Sequence, residues 1–209
     1  MGRDTEAKCR ACRREGEKLF LKGLKCYTDK CPEERRPNPP GMRGRRRFGR
    51  ASQYALHLRE KQKARRIYRL REEQFRRYVE LAKKKKGVTG DYLIQLLERR
   101  LDNVVYRAGF TSSRNQARQL IRHGHLAVND RKVDIPSYLI DEGDVIALRE
   151  GSLGKRGIKE LLAAMAEQKG PLPSWLERQD GRVRVVSRPD PAEVEQTIQA
   201  SLIVEYYSR

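Results

Sequence analysis

Residues 99–148 read RRLDNVVYRAGFTSSRNQARQLIRHGHLAVNDRKVDIPSYLIDEGDVIAL, and this stretch decides the expected fold. Gly109 and Gly124 divide it into pieces of helix and strand length. Ser112 or Ser113 can cap a helix that Gly124 ends. Apolar residues spaced three or four apart, typical of helices, precede Gly109 and follow the serines: Leu93, Leu96, Leu97, Leu101, Val104 and Val105, then Ala117, Leu120 and Ile121.

Strand-length runs follow the second helix. Apolar residues alternate at 126–128 and 133–135 and recur at 145–148, and Asn129-Asp130 forms a turn between the first two runs. The stretch therefore predicts a small α/β-hairpin module within an α+β protein.

The second helix carries three arginines opposite its apolar face. Arg114, Arg118 and Arg122 stand at i, i+4 and i+8, which gives a ridge about 12 Å long. Three guanidinium groups on one ridge suit a track of phosphates. His123 and His125 flank the end of the helix, where they are expected to contact phosphate or a base. A polar helix terminus is the alternative.

The charge balance indicates a polyanionic partner. The 209 residues include 47 Lys and Arg against 28 Asp and Glu, and residues 43–90 alone carry 18 bases and 4 acids. Nucleic acid is the first expectation and a membrane surface the second. No run approaches the roughly 18 apolar residues that a spanning helix needs. The N-terminus carries no secretory signal, so we expect a cytoplasmic protein without a membrane partner.

The basic block combines an arm with two helices. The Gly-containing run 43–50 is expected to order on RNA. Ser52 can cap one helix, and a second apolar pattern from Phe75 to Ala82 ends at Gly87. A solvated helical face is the alternative. The candidate RNA contacts are Arg43, Arg45, Arg46, Arg47, Arg50, Arg59, Lys61, Lys63, Arg65, Arg66, Lys83, Lys84 and Lys85.

All four cysteines lie in the first forty residues, as Cys9-x2-Cys12 and Cys26-x4-Cys31. Two short pairs with this spacing favour a structural site for one zinc ion held by four thiolates. An iron–sulfur cluster, disulfides or free thiols remain alternatives. Such a metal would stabilise a segment that is too poor in apolar residues to fold alone.

These features predict three regions. Residues 1–42 form a zinc knuckle and a Pro-rich connector, and residues 43–90 form the basic arm and helical domain, completed by about residues 185–209. Residues 91–184 form the inserted RNA-binding module with a C-terminal extension. In the extension we expect a helix over 155–168, a buried Trp175 and a strand at 183–185. The sequence leaves residues 201–207 open between strand and helix.

Several motifs carry a resemblance to a known family. The module resembles the RNA-binding module named after small-subunit ribosomal protein four. Beyond the module, the chain resembles bacterial ribosomal protein four in its four-cysteine form. Its hairpin has Asp130 where that family commonly has Gly, and it has Met42-Arg43 where a His is usual. The matching segments are 118–125, 128–129, 133–138 and 143–144 in the module, and the cysteine pairs, 35–41, 58–63, 74–76 and 205–209 outside it.

The resemblance implies a structural constituent of the small ribosomal subunit. Such a protein binds a multi-helix junction of the small-subunit (16S) ribosomal RNA early and nucleates assembly of the subunit body. It contacts ribosomal protein five and contributes to translational accuracy with proteins five and twelve. It places basic residues where messenger RNA enters, and residues 45–50 are the best placed for that role. Neither an enzymatic activity nor a small-molecule substrate is implied.

Short motifs in the sequence also occur in two other classes of protein, an RNA-modifying enzyme and a DNA-binding regulator. Arg100-Leu101-Asp102 matches the short motif around the catalytic Asp of many pseudouridine synthases, but too few residues follow the module to build their catalytic domain. Asp102 is instead expected to cap a helix or pair with an Arg. A zinc-containing DNA-binding regulator fits the cysteines and the basic helices, yet the chain lacks a dimerisation heptad and a helix-turn-helix pattern.

Overall fold

The computed structural model describes residues 2, 4–41, 52–167, 172–179, 181–193 and 198–208. Within these ranges none of the helices is long and apolar enough to cross a membrane. The elements are α1 Lys8–Glu15, a 3-10 helix Gly23–Tyr27, α2 Pro32–Arg35, α3 Gln53–Ile67, α4 Glu72–Lys83, α5 Thr89–Glu98, α6 Leu101–Arg107, α7 Arg114–Arg122, β1 Leu126–Val128, β2 Arg131–Lys132, β3 Val145–Leu148, α8 Glu150–Leu153, α9 Arg156–Glu167, β4 Leu176–Gln179, β5 Arg182–Val185 and α10 Ala200–Tyr206.

The chain forms two compact units. The first comprises Met1–Ile94 together with Glu195–Arg209. Ser52 caps α3 as predicted, since its Oγ accepts a hydrogen bond from the backbone N–H of Ala55 at 3.3 Å. The buried faces of α3, α4 and α10 supply the apolar core of the helical part of this unit: Ala64, Ile67, Phe75, Val79, Ala82 and Ile203.

The C-terminal segment belongs to the first unit. Residues 200–206 form the helix α10, which packs on α3. The backbone N–H of Gln199 donates to Glu60 Oε1 at 2.8 Å, and the Tyr207 hydroxyl donates to Glu72 Oε1 at the same distance. The sequence alone leaves residues 201–207 open between strand and helix. The segment is helical through Tyr206, and its packing on α3 buries Ile203.

The second unit, Gln95–Val194, contains a five-stranded antiparallel sheet in the order β2-β1-β3-β5-β4. Its register pairs Ala127 with Ala147, and Ile146 with Val183. Helices α6 and α7 and the buried Trp175 share one apolar cluster with the sheet. The sheet is larger than the expected hairpin module, because β4 and β5 extend it. The predicted strand at 183–185 and the buried Trp175 are confirmed, and the helix predicted over 155–168 is present as α9, Arg156–Glu167.

The apolar stripe before Gly109 forms two helices, whereas its spacing predicted one. The chain is extended at Arg100, with φ −65° and ψ 134°, so α5 ends at Glu98 and α6 begins at Leu101. Tertiary contacts favour this break. Arg100 forms an antiparallel bridge with Leu139, and the Leu101 N–H donates to the Tyr138 carbonyl at 2.8 Å.

The second run of the hairpin is shorter than predicted. Strand β2 contains only Arg131 and Lys132, and residues 133–135 lie outside any strand. The Val133 N–H still donates to Leu126 at 3.3 Å. Beyond Val133 the segment bonds to the start of α6, because the Pro136 carbonyl accepts from the Asp102 N–H at 3.1 Å and the Tyr138 carbonyl accepts from the Leu101 N–H.

The turn between β1 and β2 keeps a tight hairpin geometry although it lacks glycine. Asn129 and Asp130 both have positive φ, 49° and 61°, as a two-residue turn of the mirror-image type requires. The Asn129 side chain holds the turn in place, because its Nδ2 donates to Asp144 and its Oδ1 accepts from the Val145 N–H at 2.9 Å.

Candidate nucleic-acid interface

A buried ion-pair network lies beneath α7 and changes the interpretation of its arginine ridge. Arg118 is only 2% exposed, and its Nη1 lies 3.4 Å from Asp102 Oδ2. Arg100 is fully buried and donates to the same carboxylate from Nη2 at 2.7 Å and from Nε at 3.0 Å. The prediction that Arg118 faces phosphate is therefore wrong. Its position, three residues before the buried Ile121, turns it toward α6 and the carboxylate there.

The same network explains the Arg-Leu-Asp motif. Asp102 is buried with two arginines on its carboxylate, as the expected pairing with a neighbouring Arg required. A carboxylate held in this way stabilises the start of α6.

The other two arginines of α7 differ from each other. The Arg114 guanidinium lies 4.7 Å from the centroid of the Tyr106 ring and donates to Asn103 Oδ1 at 2.8 Å. Arg122 is exposed in the last turn of the helix. The three arginines therefore do not form a continuous exposed ridge. Arg118 is buried, Arg114 is partly buried, and Arg122 is the exposed member.

A cationic cluster, consisting of His123, His125, Arg149 and Lys155, surrounds the end of α7. The two histidine rings lie edge to face with 6.0 Å between their centroids, and Arg149 Nη1 donates to the Gly124 carbonyl at 3.2 Å. Burial and then the positive charges of Lys155, His123 and Arg149 lower the pKa of His125. The lowered pKa disfavours the charged form of His125, so Arg149 and Lys155 supply the positive charge of this cluster and suit a phosphate ligand.

Sequence reasoning found the two histidines of this cluster and missed the other two members. Arg149 follows β3, and its backbone N–H donates to the His125 carbonyl at 2.9 Å. Ser152 forms a hydrogen bond with His125, with 2.9 Å between its Oγ and His125 Nδ1. A basic residue directly after the last strand of the expected module was the available signal.

Lys61, predicted to contact RNA, is a structural residue in the first unit. It is 3% exposed, donates to Glu72 Oε1 at 2.8 Å and lies 4.8 Å from the centroid of the Tyr206 ring. Residue 61 precedes the buried Ala64 by one turn of α3, so its side chain enters the packing of α4 and α10. The prediction for Lys61 is therefore wrong.

Four further bases of α3 are engaged with acids of the same unit. Arg66 pairs with the buried Glu15, and Arg59 lies 3.8 Å from that carboxylate. Lys63 lies 3.3 Å from Glu17. Arg65 Nε lies 4.0 Å from Glu72 Oε2 and also donates to Gln62 Oε1 at 2.9 Å. Part of the basic excess of this helix therefore attaches the N-terminal segment to the helical core.

The lysines at the end of α4 are open to solvent. Lys83, Lys84 and Lys85 are all exposed, and Lys83 also donates to the Tyr207 carbonyl at 2.8 Å. The predicted contacts of the arm, at Arg43, Arg45, Arg46, Arg47 and Arg50, lie outside the described residues.

The four cysteines converge on one small cavity. Cys9, Cys12, Cys26 and Cys31 all line it, and Cys12, Cys26 and Cys31 are buried. Burial raises the pKa of the Cys12 thiol, and the charges of the other three thiols act in the same direction. Over the described ranges, however, no group of three or more His, Cys, Asp or Glu side chains is arranged so that it could hold a metal ion.

The fold and these surfaces define the class of protein. Residues 99–146 match the family model described as the S4 domain, and residues 3–98 match the ribosomal protein S4/S9 N-terminal domain. The chain is therefore an RNA-binding protein of ribosomal type, with the S4 domain inside the second unit.

Relatives along the whole chain give the particular family. Small ribosomal subunit protein uS4A of Symbiobacterium thermophilum is 54% identical over 211 residues, which cover 100% of both chains. Protein uS4 of Pelotomaculum thermopropionicum is also 54% identical, and that of Thermus thermophilus is 52% identical, again over 100% of both chains. The chain belongs to the uS4 family of small ribosomal subunit proteins.

Proposed function

We propose that the chain is a structural constituent of the small subunit of the cytoplasmic ribosome and binds its ribosomal RNA. The whole-length similarity to uS4 proteins carries this proposal. The exposed cations at Lys84, Lys85 and Arg122, together with the cationic cluster at the end of α7, support it. Members of this family are structural proteins, and the buried, doubly paired Asp102 supports a structural role for the synthase-like motif.

Binding of the full-length chain to small-subunit ribosomal RNA, transfer RNA and duplex DNA, measured across a salt series, tests this function. A specific binder should hold the ribosomal RNA at salt concentrations where the other two complexes dissociate. Equal affinity for all three nucleic acids, lost together as salt rises, would contradict the proposal. Preference for duplex DNA would instead support a DNA-binding regulator.

We also propose the finer roles that the family resemblance implies. The protein would bind a 16S junction early, nucleate the subunit body and contribute to accuracy through contact with ribosomal protein five. Residues 45–50 would lie near the incoming messenger RNA. Omission of the chain from a subunit reconstitution tests the assembly role, because later proteins of the body should then fail to join. Crosslinking from residues 45 and 47 in assembled ribosomes tests the proximity to messenger RNA.

We infer that Cys9, Cys12, Cys26 and Cys31 would hold one structural zinc ion. Their side chains do not form a metal-holding group as they lie in this structure, so binding would draw the four thiols closer together. The convergence of four thiol side chains on one cavity supports this inference, and thiolates are ligands that zinc prefers. Lys8 lines the same cavity and would offset part of the negative charge of four thiolates. When bound, the ion would crosslink α1 to the 3-10 helix and α2, and it would perform no chemistry.

A further inference from the structure

Phe20 and Tyr27 form an exposed pair of stacked aromatic rings in the N-terminal segment. Their ring centroids are 4.9 Å apart, and the ring planes differ by 29°. Phe20 is 36% exposed and Tyr27 is 67% exposed, so the pair presents a flat aromatic surface to solvent. We call this surface the aromatic platform. It lies outside every group of residues discussed above.

The backbone holds Phe20 on the surface in an unfavourable conformation. Its φ is 49°, in the left-handed region, which a bulky side chain rarely adopts. The residues on either side, Leu19 and Leu21, are both buried. The chain therefore keeps two leucines inside and one phenylalanine outside at a conformational cost. Such strain is concentrated at functional sites.

The second ring is fixed from another direction. Tyr27 ends the 3-10 helix Gly23–Tyr27 and follows the buried Cys26, whose Sγ accepts a hydrogen bond from the Lys22 N–H at 3.4 Å. Both rings are thus held in place before any ligand arrives, which lowers the entropic cost of binding.

Lysines flank the two rings of the aromatic platform in the sequence. Lys22, Lys25 and Lys30 are exposed, and within the described part of the chain none of them forms an ion pair. Lys18 differs, because Glu34 neutralises it. Exposed aromatic rings beside unneutralised lysines match the chemistry of unpaired nucleotides, in which a base stacks on a ring and the adjacent phosphates contact ammonium groups.

We propose that the aromatic platform stacks an unpaired base of ribosomal RNA, with Lys22 and Lys25 contacting the neighbouring phosphates. This inference rests on the RNA-binding function proposed above and adds a recognition site outside the S4 domain. The positive surroundings favour RNA over an apolar protein surface, because desolvating three unpaired ammonium groups against a neutral partner is unfavourable.

Substitution of Phe20 by glycine separates stacking from structure. Glycine adopts positive φ without strain, so Phe20→Gly removes the ring and relieves the backbone at the same residue. Binding of full-length Phe20→Gly and Tyr27→Ala to a small-subunit ribosomal RNA fragment should weaken by about 5-fold to 100-fold each. Phe20→Tyr and Tyr27→Phe retain a ring at each position and should bind like the unmodified chain.

Controls separate failure of the platform from failure of the proposed function. Leu24→Ala, at an exposed residue outside the stack, should not weaken binding, and thermal melts should show that every variant is folded. If the unmodified chain does not bind the RNA, the proposed function fails. If it binds and both ring-deleted variants bind equally well, the platform is refuted. Variants that bind RNA normally yet fail to join a reconstituted subunit would assign the surface to a protein contact and would also refute the proposal.

Discussion

Arg118 and Asp102 meet inside the second unit, with 3.4 Å between Nη1 of the arginine and Oδ2 of the carboxylate. This pairing joins the middle of α7 to the start of α6, and it moves one arginine of a regular ridge from the surface into the interior.

Asp102→Asn should destabilise the second unit by about 3–5 kcal/mol, because two buried guanidinium groups lose their counter-charge. Urea unfolding followed by circular dichroism measures the change. Asp134→Asn is the matched control, since Asp134 is exposed in the same unit, and it should change stability by less than about 0.5 kcal/mol. A loss of less than about 1 kcal/mol in Asp102→Asn would contradict the network as described.

Arg122→Ala should weaken binding to ribosomal RNA and reduce the salt dependence of binding by about one phosphate contact. The reason is that Arg122 is exposed in the last turn of α7. Arg118→Met, on the same helix, should leave the salt dependence unchanged because Arg118 is buried. Equal effects of the two substitutions on the salt dependence would show that Arg118 also contacts phosphate, as the helix spacing predicts.

Glu72→Gln should make the first unit less stable at neutral pH by about 0.5–1 kcal/mol, since the Glu72 side chain is 47% exposed and solvent screens its charge. Although burial acts to raise it, hydrogen bonds from Lys61 and Tyr207 bring the pKa of Glu72 below its ordinary value of 4.5. The stabilisation is therefore present above that value and is lost as pH falls through the lowered pKa. Unfolding curves of the two proteins should converge on acidification. Glu73→Gln, at an exposed neighbour, should show no such convergence.

Asp130→Gly should stabilise the hairpin by about 0.5–1 kcal/mol, because glycine adopts the positive φ of this residue without strain. The substitution also removes an exposed ion pair with Arg182, 3.8 Å away. Asp130→Asn separates the two effects, since it removes the charge but tolerates the turn. If the melting temperature of Asp130→Gly is no higher than that of Asp130→Asn, the positive φ at residue 130 does not destabilise the hairpin.

Zinc removal should destabilise the N-terminal segment and leave the second unit intact. A ligand present at a hundred times its Kd stabilises the folded state by about 2.7 kcal/mol, so chelation should lower the melting temperature measurably. Metal analysis should find one zinc per chain, and a cobalt-substituted protein should show thiolate charge-transfer bands. Cys12→Ser should lose both signals. A chain that melts identically with and without chelator, and contains no metal, would exclude the zinc site.

Local signals in the sequence were sufficient for the caps, the turn and the cysteine convergence. Ser52 caps α3 and Asn129-Asp130 turns the hairpin, because each of these features depends on a few adjacent residues. The family was also readable from short motifs, and the matches over residues 3–98 and 99–146 confirm it.

The division of the charges was decided only by tertiary structure. Spacing along a helix shows which residues share a face, but it does not show whether a neighbouring helix places a carboxylate there. Lys61 and Arg118 therefore resembled their exposed neighbours in the sequence, although both are buried, Lys61 against the half-exposed Glu72 and Arg118 against the buried Asp102. The break at Arg100 has the same origin, because its bridge partner Leu139 lies far along the chain. The sequence by itself determined most of the elements and the family. The packing of those elements determined where α5 and β2 end and which cations remain at the surface for RNA.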